Sequence, residues 1–267
     1  KYQKISADMK NMKEIEKKMK GGEVLAKDDL IFLYEIDARI EGFGYEKDPR
    51  IAELRNKRNP KEDALIVLDC TPTQIAINEN EITDQTKAYI GPLFPNIFKK
   101  NIEHIYTSFP EGKIKTFETK VGGKTKDELE ADLKQKNIKV GDYAKQLLDS
   151  DDLKSYLEES SKKAPEAVYL ARLTVGDLGF GFSNGATTDE IYKRAKDLGL
   201  ELCPPEVGPQ LRLSYSGNEY LRIAMNQIAD SDGDPRVFRL GGDGVDLWLY
   251  TNFAEPSYRW NADDGFV

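Results

Sequence analysis

The chain has 267 residues, with 39 basic against 47 acidic side chains, a net charge of −8 and a sequence pI near 5.0. That acidic field repels nucleic acid and anionic membranes, so neither is expected as a partner, and no apolar run reaches the roughly 20 residues a bilayer helix needs. Two distant cysteines, Cys70 and Cys203, make neither a disulfide framework nor a metal cluster, which points to the cytoplasm; the chain opens at Lys1 rather than Met, so an upstream segment with targeting information is expected to be missing.

Residues 1 to 20 place Ile5, Met9, Met12, Ile15 or Glu16, and Met19 three or four apart, the stripe of an amphipathic helix, and Gly21 and Gly22 stop it. Asp28 is expected to cap a second helix running to about Ile40, ended by Gly42 and Gly44. Asp48 with Pro49 starts a third, because the carboxylate accepts from orphan amides and proline has no amide to lose; Asn59 and Pro60 halt it after Arg58. Residues 1 to 62 therefore read as a helical N-terminal region.

Residues 63 to 160 read as a mixed α/β region. The continuous apolar run Ala64 to Cys70 predicts a strand buried on both faces, and Ile102 to Phe109 with Ile114 to Val121 predict a hairpin turned at Pro110 and Gly112. Thr125 and Glu128 form a capping box for a helix to about Gln135, followed by short helices at Asp142 to Leu148 and Asp151 to Leu157. The polar stretch Glu158 to Pro165 marks the expected domain boundary.

Beyond it, Val168 to Val175 reads as a strand and Gly176 to Gly185 as a glycine-rich turn, and Thr188 caps a helix to Leu198 with Gly199 at its C′ position. Strands are expected at Leu211 to Tyr215, Tyr220 to Ile228 and Arg236 to Leu240, joined by SGNE and DSDGDP turns suited to antiparallel neighbours. The fold class is α+β, and residues 165 to 267 form a domain that ends in an antiparallel meander.

Nothing along the chain specifies an enzyme. With His104 the only histidine, His-based triads and multi-histidine metal sites are excluded. A hydrolase built on a Cys70/His104 pair, or on acidic residues of the middle region, is the alternative reading, although Cys70 and Cys203 both read as packing groups. Gly122-Gly123-Lys124-Thr125 resembles the end of a phosphate loop, but Glu118 stands where its first glycine belongs; Gly179, Gly181 and Gly185 miss the dinucleotide spacing by one residue. Asp230, Asp232 and Asp234 alternate like the opening of a calcium loop, yet Pro235 and Gly241 occupy its Gly and Glu positions. A turn held by Asx hydrogen bonds is expected there, with a weak calcium site as the minority alternative. No catalytic residue, metal ligand or cofactor is assigned.

The most informative stretch is Gly241 to Val267. Val245, Leu247 and Leu249 alternate with Asp246, Trp248 and Tyr250, placing aliphatic groups on the core face of a strand and aromatics on the other. After Tyr250 the period vanishes, and Asn252, Phe253, Glu255, Ser257, Tyr258, Arg259, Asn261, Asp263 and Asp264 crowd around Pro256 and Trp260. Rigid amphipathic rings among small hydrogen-bonding groups are the composition of binding loops. The competing reading is an ordinary loop closing a β domain, with Trp248 and Trp260 buried.

The order strand (VYLARLTV), helix (TTDEIYKRAKDLG), meander (LRLSY, YLRIAMNQIA, RVFRLGG, VDLWLYT) and a W-N-x-D-x-x-F-V tail resembles the C-type-lectin-fold domain of variable proteins of diversity-generating retroelements. Asn184 to Lys196 and Glu206 to Leu213 are also similar to motifs of a bacterial family. The resemblance implies that a reverse transcriptase randomises adenine-containing codons near the end of the gene, and that the altered residues lie exposed on a rigid scaffold. Tyr250, Asn252, Phe253, Ser257, Tyr258, Asn261 and Asp264 are of the types such codons produce. Glu255-Pro256 is followed by Ser257, so the Glu-Pro-Asn calcium motif of ordinary C-type lectins is missing, as are their disulfides; the family's closing strand would continue past Val267.

The resulting expectation is a non-enzymatic ligand-binding protein. Its contacts with a protein or other macromolecular partner would come from Asp246, Trp248, Tyr250, Asn252, Phe253, Glu255, Ser257, Tyr258, Arg259, Asn261 and Asp264. A structural or oligomerising module using the N-terminal helices is a further alternative.

Overall fold

The computed structural model describes residues 2–41, 48–181 and 183–267. The chain divides into two units, Lys1–Pro92 with Phe98–Lys113, and Leu93–Ile97 with Ile114–Val267. Gly42 and Gly44, expected as helix stops, lie outside the described residues, as does Phe182 in the expected glycine-rich turn.

In the first unit the three-to-four spacing is realised as α1 (Tyr2–Lys20), which buries Met12 and Ile15. They pack with Leu30 and Leu33 of α2 (Lys27–Leu33), Ile51 and Leu54 of α3 (Pro49–Arg55), and Ala64 and Val67 of α4 (Pro60–Val67). Asp48 and Asn59 each accept from the amide two residues on, with a proline in the first turn. Asn59-Pro60 therefore starts a helix besides following one, and Ala64 to Val67, expected as part of a buried strand, is helical. A short apolar run carries no period of its own, so the cap upstream of it decides. α2 is shorter than expected: Asp29, not Asp28, reaches back to the Ala26 amide, and the helix ends before Glu35 adopts φ 53°. Buried Asp63 accepts from the Tyr34 hydroxyl at 2.7 Å and from Arg58 through both oxygens at 2.6 Å. β1 (Ile75–Ala76), β2 (Ala88–Ile90) and β3 (His104–Tyr106) make a parallel three-stranded sheet.

The second unit opens with β4 (Lys115–Val121), α5 (Lys126–Gln135), β5 (Lys139–Val140), α6 (Asp142–Asp149) and α7 (Asp151–Ser160). There follow β6 (Glu166–Thr174), β7 (Ala186–Thr187), α8 (Thr188–Asp197), α9 (Val207–Ser214), β8 (Leu221–Arg222), β9 (Ile228–Ala229), β10 (Pro235–Gly242), β11 (Leu247–Phe253), β12 (Arg259–Trp260) and β13 (Gly265–Phe266). The large sheet runs β4-β6-β13-β8-β10-β11-β5, with β9 also on β10, while β7 pairs β12. The chain is thus α+β. Among the described residues no helix is long and apolar enough to cross a membrane.

Several expectations need correction here. The predicted hairpin of residues 102–121 is reduced to one bridge, Tyr106↔Lys113, because β3 pairs β2 and β4 pairs β6. That seven-pair β4–β6 ladder spans residues 158 to 165, so the expected boundary falls inside the second unit. Thr187, not Thr188, caps α8, accepting from the Glu190 amide. Leu211 to Tyr215, expected as a strand, belongs mostly to α9: its alternation of Leu211, Arg212 and Leu213 is too short to outweigh burial, since Leu211 and Arg212 are both inside. Tyr220 to Ile228 holds only β8 and the start of β9, although Leu221, Ile223 and Met225 are all fully buried as the alternation predicts. Val245 lies in the turn before β11 and is 93% exposed, not on the core face.

α9 enters the core at a glycine: a Cβ on Gly208 would sit 2.6 Å from Phe238 Cβ. Just before it, fully buried Glu206 accepts from the Gly122 amide at 2.9 Å and the Tyr156 hydroxyl at 3.2 Å, and also from the Ser160 hydroxyl. This carboxylate joins the end of β4, α7 and the start of α9 with no ion-pair partner among the described residues. Glu206→Ala, which strands those donors, is expected to lower stability by about 2–4 kcal/mol in urea unfolding, and Glu206→Gln, which keeps one acceptor oxygen, by less; equal losses would contradict the hydrogen-bonding role.

Candidate functional site

Sheet alternation decides what the C-terminal strands display. In the ladder from Arg236↔Phe253 to Gly242↔Leu247, Phe238, Leu240 and Leu249 are fully buried on one face, so Arg239, Gly241, Trp248 and Tyr250 share the other. Gly241 leaves room for a ring: a Cβ there would lie 2.5 Å from Tyr220 Cδ1. The Arg239 guanidinium sits between two rings, 4.7 Å from the Tyr220 centroid and 4.9 Å from that of Tyr250. Trp248 continues the pile along the same face, 4.8 Å from Tyr250 with the planes 4° apart. Its indole N–H donates to Asp243 at 3.1 Å, and the same carboxylate accepts from the Val245 and Asp246 amides at 3.0 and 2.7 Å. Those amides hold the Asp243 carboxyl below its ordinary value.

Arg239 has no ion-pair partner among the described residues, and its Nε is buried without an acceptor. Beneath it, Arg212 of α9 is 1% exposed and equally lacks a carboxylate. It donates instead to the carbonyls of Gly241 at 3.1 Å and Gly217 at 3.3 Å, and to that of Tyr215, and lies 5.3 Å from the Tyr215 ring. Burial pulls this guanidinium below its usual value. Arg212 thereby ties β10 to the turn that delivers Tyr220.

The chain after Ala254 is held by different contacts. The Asp189 and Thr188 amides donate to Pro256 and Tyr258 carbonyls, and Trp260, 2% exposed, donates its indole N–H to Thr188 Oγ1 at 2.9 Å. Tyr258 meets Trp260 at 4.7 Å and Phe253 at 5.6 Å, while Arg222 covers the Trp260 ring at 4.9 Å and pairs with Asp264 at 2.7 Å.

Comparison with protein-family models, curated proteins and solved structures returned no match to this chain.

None of the residues expected at the site is buried, but they do not form one cluster. Trp248 and Tyr250 belong to the stacked pile. Five strand positions separate Trp248 from Phe253, about 17 Å along the chain. Ser257, Tyr258, Arg259 and Asn261 are exposed in the tail. Asp246 closes the turn with Asp243, Glu255 accepts from Ser257, Asp264 serves Arg222, and Asn252 is half-buried with Oδ1 lacking a donor. The competing reading holds for Trp260 alone, which is an internal anchor. Tyr220, Arg239, Asp243 and Arg212 were not anticipated; the pair Gly241-Gly242 inside a strand was the available signal that something approaches closely there.

The alternative chemical candidates are disposed otherwise. Cys70 donates its thiol to the Leu68 carbonyl at 3.2 Å, and burial pushes its pKa up, the opposite of nucleophile activation. His104 lies 3.4 Å from Glu103, with no hydrogen bond to Cys70. Cys203 lines an apolar pocket of about 330 Å³, with its thiol pushed up to about 12 by burial; converging polar groups of the kind a specific small-molecule site needs are absent among the described lining residues. Asp230 accepts from the Asp232 and Asp234 amides at 2.9 and 3.0 Å and from Arg236, which together hold its carboxyl below the usual range. With both oxygens engaged by donors, the aspartate turn is expected to leave the melting temperature unchanged when calcium is raised to about 1 mM; a rise that chelator reverses would show a cation site there.

Proposed function

We propose that this chain is a non-enzymatic ligand-binding protein that grips a protein or other macromolecular partner with its C-terminal surface. The observation that carries the reading is the Arg239 guanidinium beside the Tyr220 and Tyr250 rings with no carboxylate partner among the described residues, continued by Trp248 stacked on Tyr250. Stacked rings around an uncompensated arginine are what interface anchors are made of: Trp, Tyr and Arg carry most of the energy where proteins meet. Gly241 and the buried Arg212 hold the pile on a stiff sheet, so little conformational freedom is lost on contact.

We further propose a C-type-lectin-like organisation and a kinship with variable proteins of diversity-generating retroelements. In support, β13 returns antiparallel beside β6, closing the order of strand, helix and meander, and Ser257, Tyr258, Arg259 and Asn261 stand exposed beyond β11. α9, in place of one expected strand, is a departure from the resemblance. Gene copies from related strains are expected to differ mainly at codons 246–264, and differences spread evenly along the gene would contradict the retroelement reading. A partner retained by the immobilised wild-type chain is expected to bind the Trp248→Ala and Tyr250→Ala variants about 30-fold more weakly, the loss of roughly 2 kcal/mol typical of an interface anchor. Unchanged affinity, with melting temperature also unchanged, would contradict the binding surface itself.

A further inference from the structure

We infer that the partner of this surface presents an acidic, partly apolar polypeptide segment, seated in the groove between α5 and α6 and ending on Trp248. The inference rests on the ligand-binding reading above and gives it a chemistry.

The groove encloses about 630 Å³, and Trp248 forms part of its wall. Its floor is aliphatic, with Leu133, Ile138 and Leu148 all nearly inaccessible. Four lysines line it against two carboxylates, Glu130 and Asp149, and both carboxylates are taken by Lys126, at 3.3 and 2.6 Å. Of the other three, Lys134 and Lys139 have no ion-pair partner among the described residues, and Lys145 has only a 3.6 Å contact with Asp142 in which both side chains are exposed. Lys139 stands opposite Trp248 in the β5–β11 pairing, one strand spacing away, and both line the groove at the start of the stack that leads on to Arg239.

In a chain of net charge −8, a groove with unneutralised lysines is a local inversion of sign. Charge complementarity calls for carboxylates or phosphates. Lys134, Lys139 and Lys145 stand on three separate elements, α5, β5 and α6, an arrangement that suits a ligand with several carboxylates better than a single phosphate. An extended polyanion such as single-stranded nucleic acid would meet the repulsive acidic field outside the groove. A short segment alternating acidic and apolar side chains matches the lysine rim and the Trp248 indole in the wall.

The test uses the full chain and fluorescence anisotropy with labelled poly(Glu,Tyr) limited to about eight residues, with poly(Lys,Tyr) of the same length and an oligothymidylate of about 20 nucleotides as comparison probes, at about 50 mM salt. Poly(Glu,Tyr) is expected to bind saturably and to weaken at least about tenfold in a Lys134→Glu, Lys139→Glu, Lys145→Glu variant, and also in Tyr250→Ala. All three lysines are exposed, and an unchanged melting temperature checks that the variant is folded. Poly(Glu,Tyr) that fails to bind, or binds the triple variant equally well, overturns the inference. Tighter, lysine-dependent binding of the oligothymidylate would also overturn it, assigning the groove to nucleic acid. Poly(Lys,Tyr) bound by the wild type, lost in Tyr250→Ala and indifferent to the lysine changes overturns the acidic preference alone and leaves the aromatic surface standing. No probe responding to either set of changes overturns both.

Discussion

A buried arginine with no carboxylate opposite it among the described residues is the constraint on which the C-terminal half of this protein depends. A charged guanidinium removed from water is costly unless its fork meets acceptors, and in Arg212 both terminal nitrogens do while Nε does not. Arg212 meets main-chain carbonyls on β10 and in the turn after α9, so its cost is offset only if those segments stay in place. Glu206 sets the same kind of condition just ahead of the helix, with amide and hydroxyl donors from β4 and α7. An anion before the helix and a cation in its last turn also agree with the helix dipole. α9 is only eight residues long, yet it is fastened at both ends by groups that cannot be released cheaply.

That fastening explains why an exposed aromatic pile can hold its shape. Tyr220 reaches Arg239 because its turn is bonded to Arg212 and because Gly241 lacks a side chain beneath the ring. Trp248 is oriented by Asp243, which also builds the turn between β10 and β11. The residues after Ala254 are a separate construction, pinned through Trp260 and Thr188 to the start of α8 and through Asp264 to Arg222. One strand, β11, therefore carries the stacked Trp248 and Tyr250 near its beginning and leads at its end into a loop with Ser257, Tyr258 and Arg259 exposed.

Much of the secondary structure was legible from local chemistry. α1, α5, α6, α7 and α8 follow caps and periodicity, and the burial of Leu221, Ile223 and Met225 follows simple alternation even where the ladder is broken. The failures share a cause. Ala64 to Val67 and Leu211 to Ser214 are short apolar stretches whose helical state is decided outside them, by Asn59-Pro60 in one case and by buried Glu206 and Arg212 in the other. At the site, Trp248 and Tyr250 were visible as aromatics on the outer face of a strand. Tyr220, Arg239 and Arg212 were not, because a cation between rings is assembled from three separate stretches of chain and leaves no spacing to read.

The dependence of the pile on Arg212 is most directly tested by nuclear Overhauser contacts among aromatic and arginine side chains in the wild type and in Arg212→Met, whose apolar side chain occupies much of the same volume. Contacts joining Tyr220, Arg239 and Tyr250 are expected in the wild type and lost in the variant, while those between Tyr258 and Trp260 persist in both. Contacts among Tyr220, Arg239 and Tyr250 that survive unchanged in Arg212→Met, or that are missing from the wild type, would contradict it.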